Sequence, residues 1–308
     1  MFFILYLRSN LAGLHLFKTD SVVSILDRSV LIIACLVMRK MGIFTGENGI
    51  MYFVYAQTAS YLFTVIIAFL IVLNKTHTFK IKLNKTFSLM ILKKSLPYAI
   101  LTLLMSFSNR IDSVMIERIL PQGTGDVQSG IYAQGFRILD ATNMIAFLTA
   151  GMLLPIFSRM LKHKESVEPL LKLISRLLFT AAFVVGIGCV FYKQELIEML
   201  YPIGKNDSPE VYAQHLQESS LIFCLLMLSF VAFSSQFIFG TLLTANGNLK
   251  QLNLVAGSAM VINIVSNMVL IPRLEAVGSA ISSICTQFIA AIVQIIVVQR
   301  VFKFKPNY

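Results

Sequence analysis

Charged residues are scarce in this chain. Only 13% of its 308 residues are Asp, Glu, Lys or Arg, whereas a soluble domain carries about 25%. Tryptophan is absent, and 56% of the residues are apolar. This composition excludes a cytosolic enzyme, a nucleic-acid-binding domain and a secreted disulfide scaffold.

Cysteine and histidine are too few and too scattered for a metal or redox centre. The chain has four of each, with no CxxC pair among the cysteines and no HExxH spacing among the histidines. The cysteines all lie in apolar runs, where a free thiol behaves as a small hydrophobic group. We therefore expect no disulfide framework, no metal site and no cofactor.

Long uncharged runs dominate the chain. Residues 50–73, 219–249, 251–272 and 276–299 contain no charge at all. About 20 apolar residues span a bilayer as a helix. The pattern predicts an all-α, polytopic transmembrane helix bundle with about eight spans, at 20–38, 50–73, 96–118, 128–157, 170–192, 217–244, 249–271 and 277–300.

The basic residues indicate the direction of these spans. If the N-terminus is internal, 17 of the 26 Lys and Arg fall in cytoplasmic segments, five in outer loops and four within spans. Cytoplasmic loops collect Lys and Arg, so both termini are predicted to be cytoplasmic. The segment 74–95, with six lysines, is interpreted either as an ordinary cytoplasmic loop or as a helix on anionic lipid headgroups.

Eight charges within the predicted spans are interpreted as embedded in the membrane. They are Asp27, Arg28, Arg110, Asp112, Glu117, Arg118, Arg137 and Asp140. Charges in hydrocarbon are costly and normally face a protein interior or a hydrated cavity. In the third span, Arg110 and Glu117 share a face with Asn109 at its edge, whereas Asp112 lies opposite. The third helix is therefore predicted to stand between a cavity and a neighbouring helix.

Two interpretations of these charges remain open. Arg137 and Asp140 are three residues apart and are predicted to pair, whereas the adjacent Asp27 and Arg28 are expected to need partners elsewhere. Such charges form either salt bridges between helices or a cationic cavity for an anion. Arginine suits a diphosphate, because its planar fork makes bidentate bonds and stays charged when buried.

Several segments, taken in order, carry a resemblance to a known family. They are Ser95–Tyr98 with Asn109–Glu117, Gly130–Asp140 with Leu154–Ser158, Gly240–Lys250 with Asn263 and Asn267, and Val277–Ala280 with Gln287. These segments are similar to the seventh, eighth, tenth to eleventh and twelfth helices of the bacterial polysaccharide-export flippases. Those proteins belong to the multidrug/oligosaccharidyl-lipid/polysaccharide exporter superfamily.

The resemblance implies a fold and a truncation. The spans resemble helices 5–12 of a two-lobed, MATE-like exporter. Residues 1–95 would be the remnant of a first lobe, with two transmembrane helices and a basic linker, and residues 96–308 a second, six-helix lobe. The first four helices of the family have no counterpart, so we expect a chain truncated at its N-terminus.

The resemblance also implies a function. The chain would flip a polyprenyl-diphosphate-linked oligosaccharide across the bacterial inner membrane by alternating access, and would not be an enzyme. Its partners would be that substrate and membrane lipids, with no nucleic acid, and the coupling ion, H+ or Na+, is left open. The substrate-binding residues implied by position are Arg110 and Arg137, then Arg28 from the first lobe, with Asn109, Asp112, Glu117 and Asp140 around them.

Three alternatives remain at this stage. A multidrug exporter of the same superfamily would carry fewer cavity arginines, because its substrates are usually cations. An integral membrane enzyme of polysaccharide assembly, a polymerase or glycosyltransferase, would need a catalytic loop, and the longest outer loop, residues 193–217, shows no acid, base and nucleophile together. A structural partner subunit would leave its embedded charges fully paired.

Overall fold

The chain is almost wholly helical in the computed structural model, which describes residues 2–13, 16–41, 49–76, 85–203 and 208–303. Those residues contain no β-strand, and the all-α prediction is confirmed. The helices are α1 (Phe2–Gly13), α2 (Phe17–Lys40), α3 (Gly49–Thr76), α4 (Lys85–Ile119), α5 (Thr124–Lys162), α6 (Glu168–Phe191), α7 (Lys193–Leu200), α8 (Pro209–Ala245) and α9 (Leu249–Phe302).

Seven of these helices, all but α1 and α7, are long and apolar enough to cross a membrane. The last of the seven, α9, contains the last two predicted spans. They are separated at Glu275, where the backbone leaves helical geometry with φ of 52° and ψ of −135°. The two arms of α9 then lie side by side, since Ser282 Oγ donates to the carbonyl oxygen of Asn263 at 3.2 Å. All eight predicted spans therefore correspond to helical segments.

The turn between the two arms of α9 requires a glycine. A Cβ at Gly278 would lie 2.4 Å from the carbonyl oxygen of Leu270, a separation that carbon and oxygen do not tolerate. Pro272 lies in the last turn of the first arm, where it limits the hydrogen bonding that would continue the helix. We name residues 249–274 the first arm and residues 276–302 the second arm.

Helix α4 begins earlier than the sequence predicts. The third predicted span begins at residue 96, whereas the helix begins at Lys85, so that Pro97 lies inside it. Proline is tolerated within membrane helices. The carbonyl oxygen of Pro97 accepts a hydrogen bond from Asn253 Nδ2 at 2.9 Å, which joins α9 to α4 at this point. Residues 85–95 of the basic segment are thus helical and exposed. Residues 74–76 end α3, and residues 77–84 lie outside the described residues.

The helices form two compact units, which divide between Lys85 and Thr86. The first unit holds α1 to α3 around a small apolar core that includes Leu11, Val23 and Ala68. In this unit Arg8 Nε donates to Asp20 Oδ1 at 2.8 Å, which joins α1 to α2.

The second unit is organised around α8. The buried residues of α8 include the large Phe223 and Phe230 together with the small Ser229, Ser234 and Gly240. Small residues let membrane helices approach closely. Across this contact, a Cβ at Gly135 of α5 would lie 3.1 Å from the Cα of Phe223, so the α5 and α8 backbones pack with little room between them.

Candidate functional site

The contacts between α4 and α5 fix the register of this helical hairpin. Ser129 Oγ donates to the carbonyl oxygen of Ser113 at 3.3 Å, and Tyr132 Oη donates to Asp112 Oδ2 at 2.8 Å. The two helices therefore run antiparallel, with residue 113 level with residue 129. This register decides which side chains lie at the same height.

One side of the hairpin buries Asp112. The carboxylate, only 5% exposed, accepts hydrogen bonds from three different elements. Tyr132 Oη of α5 donates to Oδ2, Asn267 Nδ2 of the first arm donates to Oδ1 at 2.7 Å, and Ser283 Oγ of the second arm donates to Oδ2 at 2.5 Å. We name Asp112, Tyr132, Asn267 and Ser283, with Asn263 beside them, the carboxylate cluster. It ties α4 to α5 and to both arms of α9.

The first arm supplies a second layer to this cluster. Asn267 Nδ2 also donates to Asn263 Oδ1 at 3.1 Å, because residues four apart share one helix face. Ser282 Oγ binds the Asn263 carbonyl oxygen from the second arm. Hydrogen bonds to a charged group contribute about 1.5–3 kcal/mol each, so the cluster specifies how the α9 turn packs on α4.

The other side of the hairpin carries Arg110 and Arg137. Along a helix, Arg110 projects about 160° away from Asp112, and Arg137 about 140° away from Tyr132. The antiparallel register brings both arginines to the same side, with an offset along the helix axes of about five residues, or roughly 7.5 Å. Both residues are exposed, and neither forms an ion pair within 4.0 Å in the part of the chain that the structure describes. We name this surface the arginine side.

The remaining predicted ligands on these helices are also exposed. Asn109, Glu117 and Asp140 all present exposed side chains. The predicted ion pair between Arg137 and Asp140 is not formed. An exposed ion pair three residues apart would stabilise the helix by only about 0.5 kcal/mol, so little free energy is lost when the pair does not form. The prediction that α4 is polar on two opposite sides is confirmed, with one side buried and the other exposed.

Asp112 differs from the other predicted ligands. Its carboxylate is buried and engaged by Tyr132, Asn267 and Ser283, and it faces away from the arginine side. It therefore neither contacts Arg110 nor presents an oxygen to a ligand on that side. Asp112 is better described as the centre of the carboxylate cluster, and Ser283, which no sequence motif singled out, is a member of it.

Arg28 lies in the first unit and is exposed, with a side-chain accessibility of 59%. Its Nε lies 3.7 Å from Asp27 Oδ2. The expectation that these neighbours need partners elsewhere is wrong, because the long arginine side chain can bend back to the preceding carboxylate. The Ser60 hydroxyl donates to the Asp27 carbonyl oxygen and ties α3 to α2.

Comparison with known protein families identifies this architecture. A family described as "Polysaccharide biosynthesis protein" matches residues 1–161. The chain belongs to this family. The predicted resemblance to polysaccharide-export flippases is thereby confirmed. The chain is a multi-pass membrane protein of polysaccharide biosynthesis.

The family match covers helices α1 to α5 almost completely, including the whole α4–α5 hairpin with Arg110, Asp112 and Arg137. Helices α6 to α9, which supply Asn267 and Ser283, lie beyond it. No curated protein and no solved structure matches this polysaccharide biosynthesis protein. The roles of its individual residues therefore rest on its own geometry.

Proposed function

We propose that this protein flips a polyprenyl-diphosphate-linked oligosaccharide across the bacterial inner membrane by alternating access. Family membership supports a role in polysaccharide export, because proteins of this family are commonly transporters. The observation that carries the proposal is the arginine side, where Arg110 and Arg137 project together without an acidic partner in the described residues.

The chemistry of that side fits a diphosphate. Two guanidinium groups on the same side of the hairpin present two planar donor forks to an anion with several oxygens. Arginines at membrane depth without ion pairs are costly unless they face water or an anion. The nearby Glu117 and Asp140 would offset part of the positive charge when the substrate has left.

The drug-exporter alternative fits this side less well. Cationic drugs would be repelled by Arg110 and Arg137, whose charge is not neutralised by an ion pair within the described ranges. The salt-bridge interpretation of these two arginines also loses its support. Arg28 remains a weaker candidate, because it lies in the first unit and has Asp27 beside it.

A flipping assay tests the proposal. The full chain would be reconstituted in liposomes that carry a fluorescent polyprenyl-diphosphate oligosaccharide, and the appearance of the label in the outer leaflet would be followed. We expect movement above that of protein-free liposomes. Arg110→Ala and Arg137→Ala should each slow it roughly 10- to 150-fold, since a hydrogen bond to a charged group contributes about 1.5–3 kcal/mol.

A matched control is Arg159→Ala, which removes an exposed arginine from the last turn of α5. It should flip the lipid at the rate of the unsubstituted chain. Movement no faster than in protein-free liposomes would overturn the proposed function. Equal rates for all three variants would overturn the assignment of Arg110 and Arg137 as substrate-binding residues.

Topology is part of the same proposal, with both termini in the cytoplasm. Single cysteines placed at Lys82 and Asp207, in a background where the four natural cysteines are replaced, should react with a membrane-impermeant maleimide from opposite sides. Lys82 should be reached from the cytoplasmic side only. Labelling of both positions from one side would contradict the arrangement.

A further inference from the structure

Two of the four cysteines lie on helices that pack against each other. Cys189 lies two residues before the end of α6, and Cys224 lies in the first half of α8. Both are free thiols in the structure. Cys189 is buried in an apolar core cluster to which Met227 of α8 also belongs. Their position relative to each other follows from the register of the two helices.

Gly186 fixes the alignment of α6 with α8. A Cβ at Gly186 would lie 3.9 Å from the carbonyl oxygen of Met227 and 4.0 Å from Leu228 Cδ2, so the two helices approach closely at this height. Lys193, which begins α7 directly after α6, is near enough to Cys224 for its charge to act on that thiol. The neighbouring residue number in α8 thus falls as the chain proceeds beyond Gly186, which shows that α6 and α8 run antiparallel.

The antiparallel register places the two cysteines opposite each other. Cys189 lies three residues beyond Gly186, about 4.5 Å along the helix axis, and Cys224 lies four residues before Leu228, about 6 Å in the same direction. Residues three or four apart share one helix face, so both side chains project from the faces that meet at Gly186. The two thiols are also within electrostatic range of each other, in agreement with this placement.

We propose that Cys189 and Cys224 are a redox-active pair that closes to a disulfide between α6 and α8 in the presence of a disulfide oxidant. The thiolate of one cysteine attacks a sulfur of the oxidant's disulfide and releases one thiol. The thiolate of the other cysteine then attacks the mixed disulfide and releases the second thiol. The two protein thiols lose two electrons and two protons to form one S–S bond, and the oxidant's disulfide is reduced to two thiols.

The position of the pair suits an oxidising compartment. Helix α6 ends at Phe191, and α7 follows with the charged residues Lys193, Glu195 and Glu198, so the pair lies close to a polar boundary. Under the proposed topology, with both termini in the cytoplasm, this boundary faces the outer side, where bacteria keep protein thiols oxidised. The side therefore rests on that topology, whereas the pairing of the two thiols rests only on the register of α6 and α8.

Oxidation of the full chain in sealed membrane vesicles of each orientation tests the pair. Oxidised glutathione, which does not cross the bilayer, is added outside the vesicles. The remaining thiols are alkylated, and the peptides are mapped by mass spectrometry without reduction. We expect a peptide that links Cys189 to Cys224, both in the unsubstituted chain and in Cys35→Ser/Cys285→Ser. Recovery of Cys189 and Cys224 as alkylated thiols from vesicles of both orientations would overturn the proposal.

Moving one thiol along α8 provides the matched control. Cys224→Ala/Leu221→Cys shifts the thiol by about one turn, to a position where the native leucine is 40% exposed. This variant should give no linked peptide, although its thiol is accessible to the oxidant. Equal linking in this variant and in the unsubstituted chain would overturn the proposal, because the register would then not select the pair. Linking from the cytoplasmic side only would support the pair and overturn the proposed topology.

Discussion

On one side of the α4–α5 hairpin a single acid, Asp112, is enclosed by neutral polar groups from three elements. On the other side two bases, Arg110 and Arg137, project from the same two helices and make no ion pair in the described part of the chain. Both sides place charge on helices that are long and apolar enough to cross a membrane, where charge is expensive.

The difference lies in what satisfies each charge. On the buried side, three donors of the protein itself bind the Asp112 carboxylate, so these residues contribute to stability and hold α9 in place. The arginine side leaves its donors for a partner that the protein does not supply. The comparison therefore separates residues expected to affect unfolding from residues expected to affect ligand binding.

The largest effect on stability is expected from Asp112→Ala. The substitution leaves the donors of Tyr132, Asn267 and Ser283 without their acceptor, and each unsatisfied buried group costs about 1–3 kcal/mol. A loss of roughly 3 kcal/mol or more should appear as a lower midpoint in chemical unfolding of the detergent-solubilised chain. Arg110→Ala, two residues away on the opposite side, is the matched control and should change stability by no more than about 0.5 kcal/mol.

Gly278→Ala should come next, because it attacks the α9 turn that carries Ser283. The added Cβ would lie 2.4 Å from the Leu270 carbonyl oxygen, and overpacking of this kind costs about 1–3 kcal/mol. Gly188→Ala provides the comparison, since nothing lies within 4 Å of its Cβ position. That second change should be neutral or stabilise the helix by up to about 1 kcal/mol. Equal unfolding midpoints for the two variants would show that the turn is not tightly packed.

A smaller effect is expected from Tyr132→Phe, which removes one of the three donors to Asp112 and leaves the ring in place. The loss should be about 1–2 kcal/mol, measured in the same unfolding experiment. Tyr98→Phe alters an exposed tyrosine on α4 and should leave the midpoint unchanged. If Tyr132→Phe also has no effect, the hydroxyl does not contribute to the cluster as the distances indicate.

Much of the fold could be predicted from the sequence, because bilayer thickness imposes a length on each apolar run. The eight expected spans correspond to helical segments for that reason. The two-sided character of α4 was also predictable, since a period of 3.6 residues places Arg110 and Asp112 on opposite sides. These features depend only on local order along the chain.

The cluster around Asp112 could not be predicted in the same way. Asn267 and Ser283 lie more than a hundred residues from Asp112 in sequence, and only the reversal of α9 at Glu275 brings both to it. The backbone at Glu275 has a positive φ of 52°, which in a sequence is usually indicated by glycine. The residues between Pro272 and Val277 include no glycine, so the sequence does not indicate this turn. The contact between Arg28 and its neighbour Asp27 could not be predicted either. It depends on the conformation of the long arginine side chain and not on the position of the residue along the helix.

Binding of undecaprenyl diphosphate to the full chain in nanodiscs tests the central claim most directly, with undecaprenol as the uncharged comparison. The account predicts that the diphosphate binds more tightly than the alcohol. Arg110→Ala and Arg137→Ala should each weaken the diphosphate roughly 10- to 150-fold and leave the alcohol unchanged, whereas Arg159→Ala changes neither. Equal affinity of the diphosphate for the unsubstituted chain and for the Arg110→Ala/Arg137→Ala double variant would contradict the account.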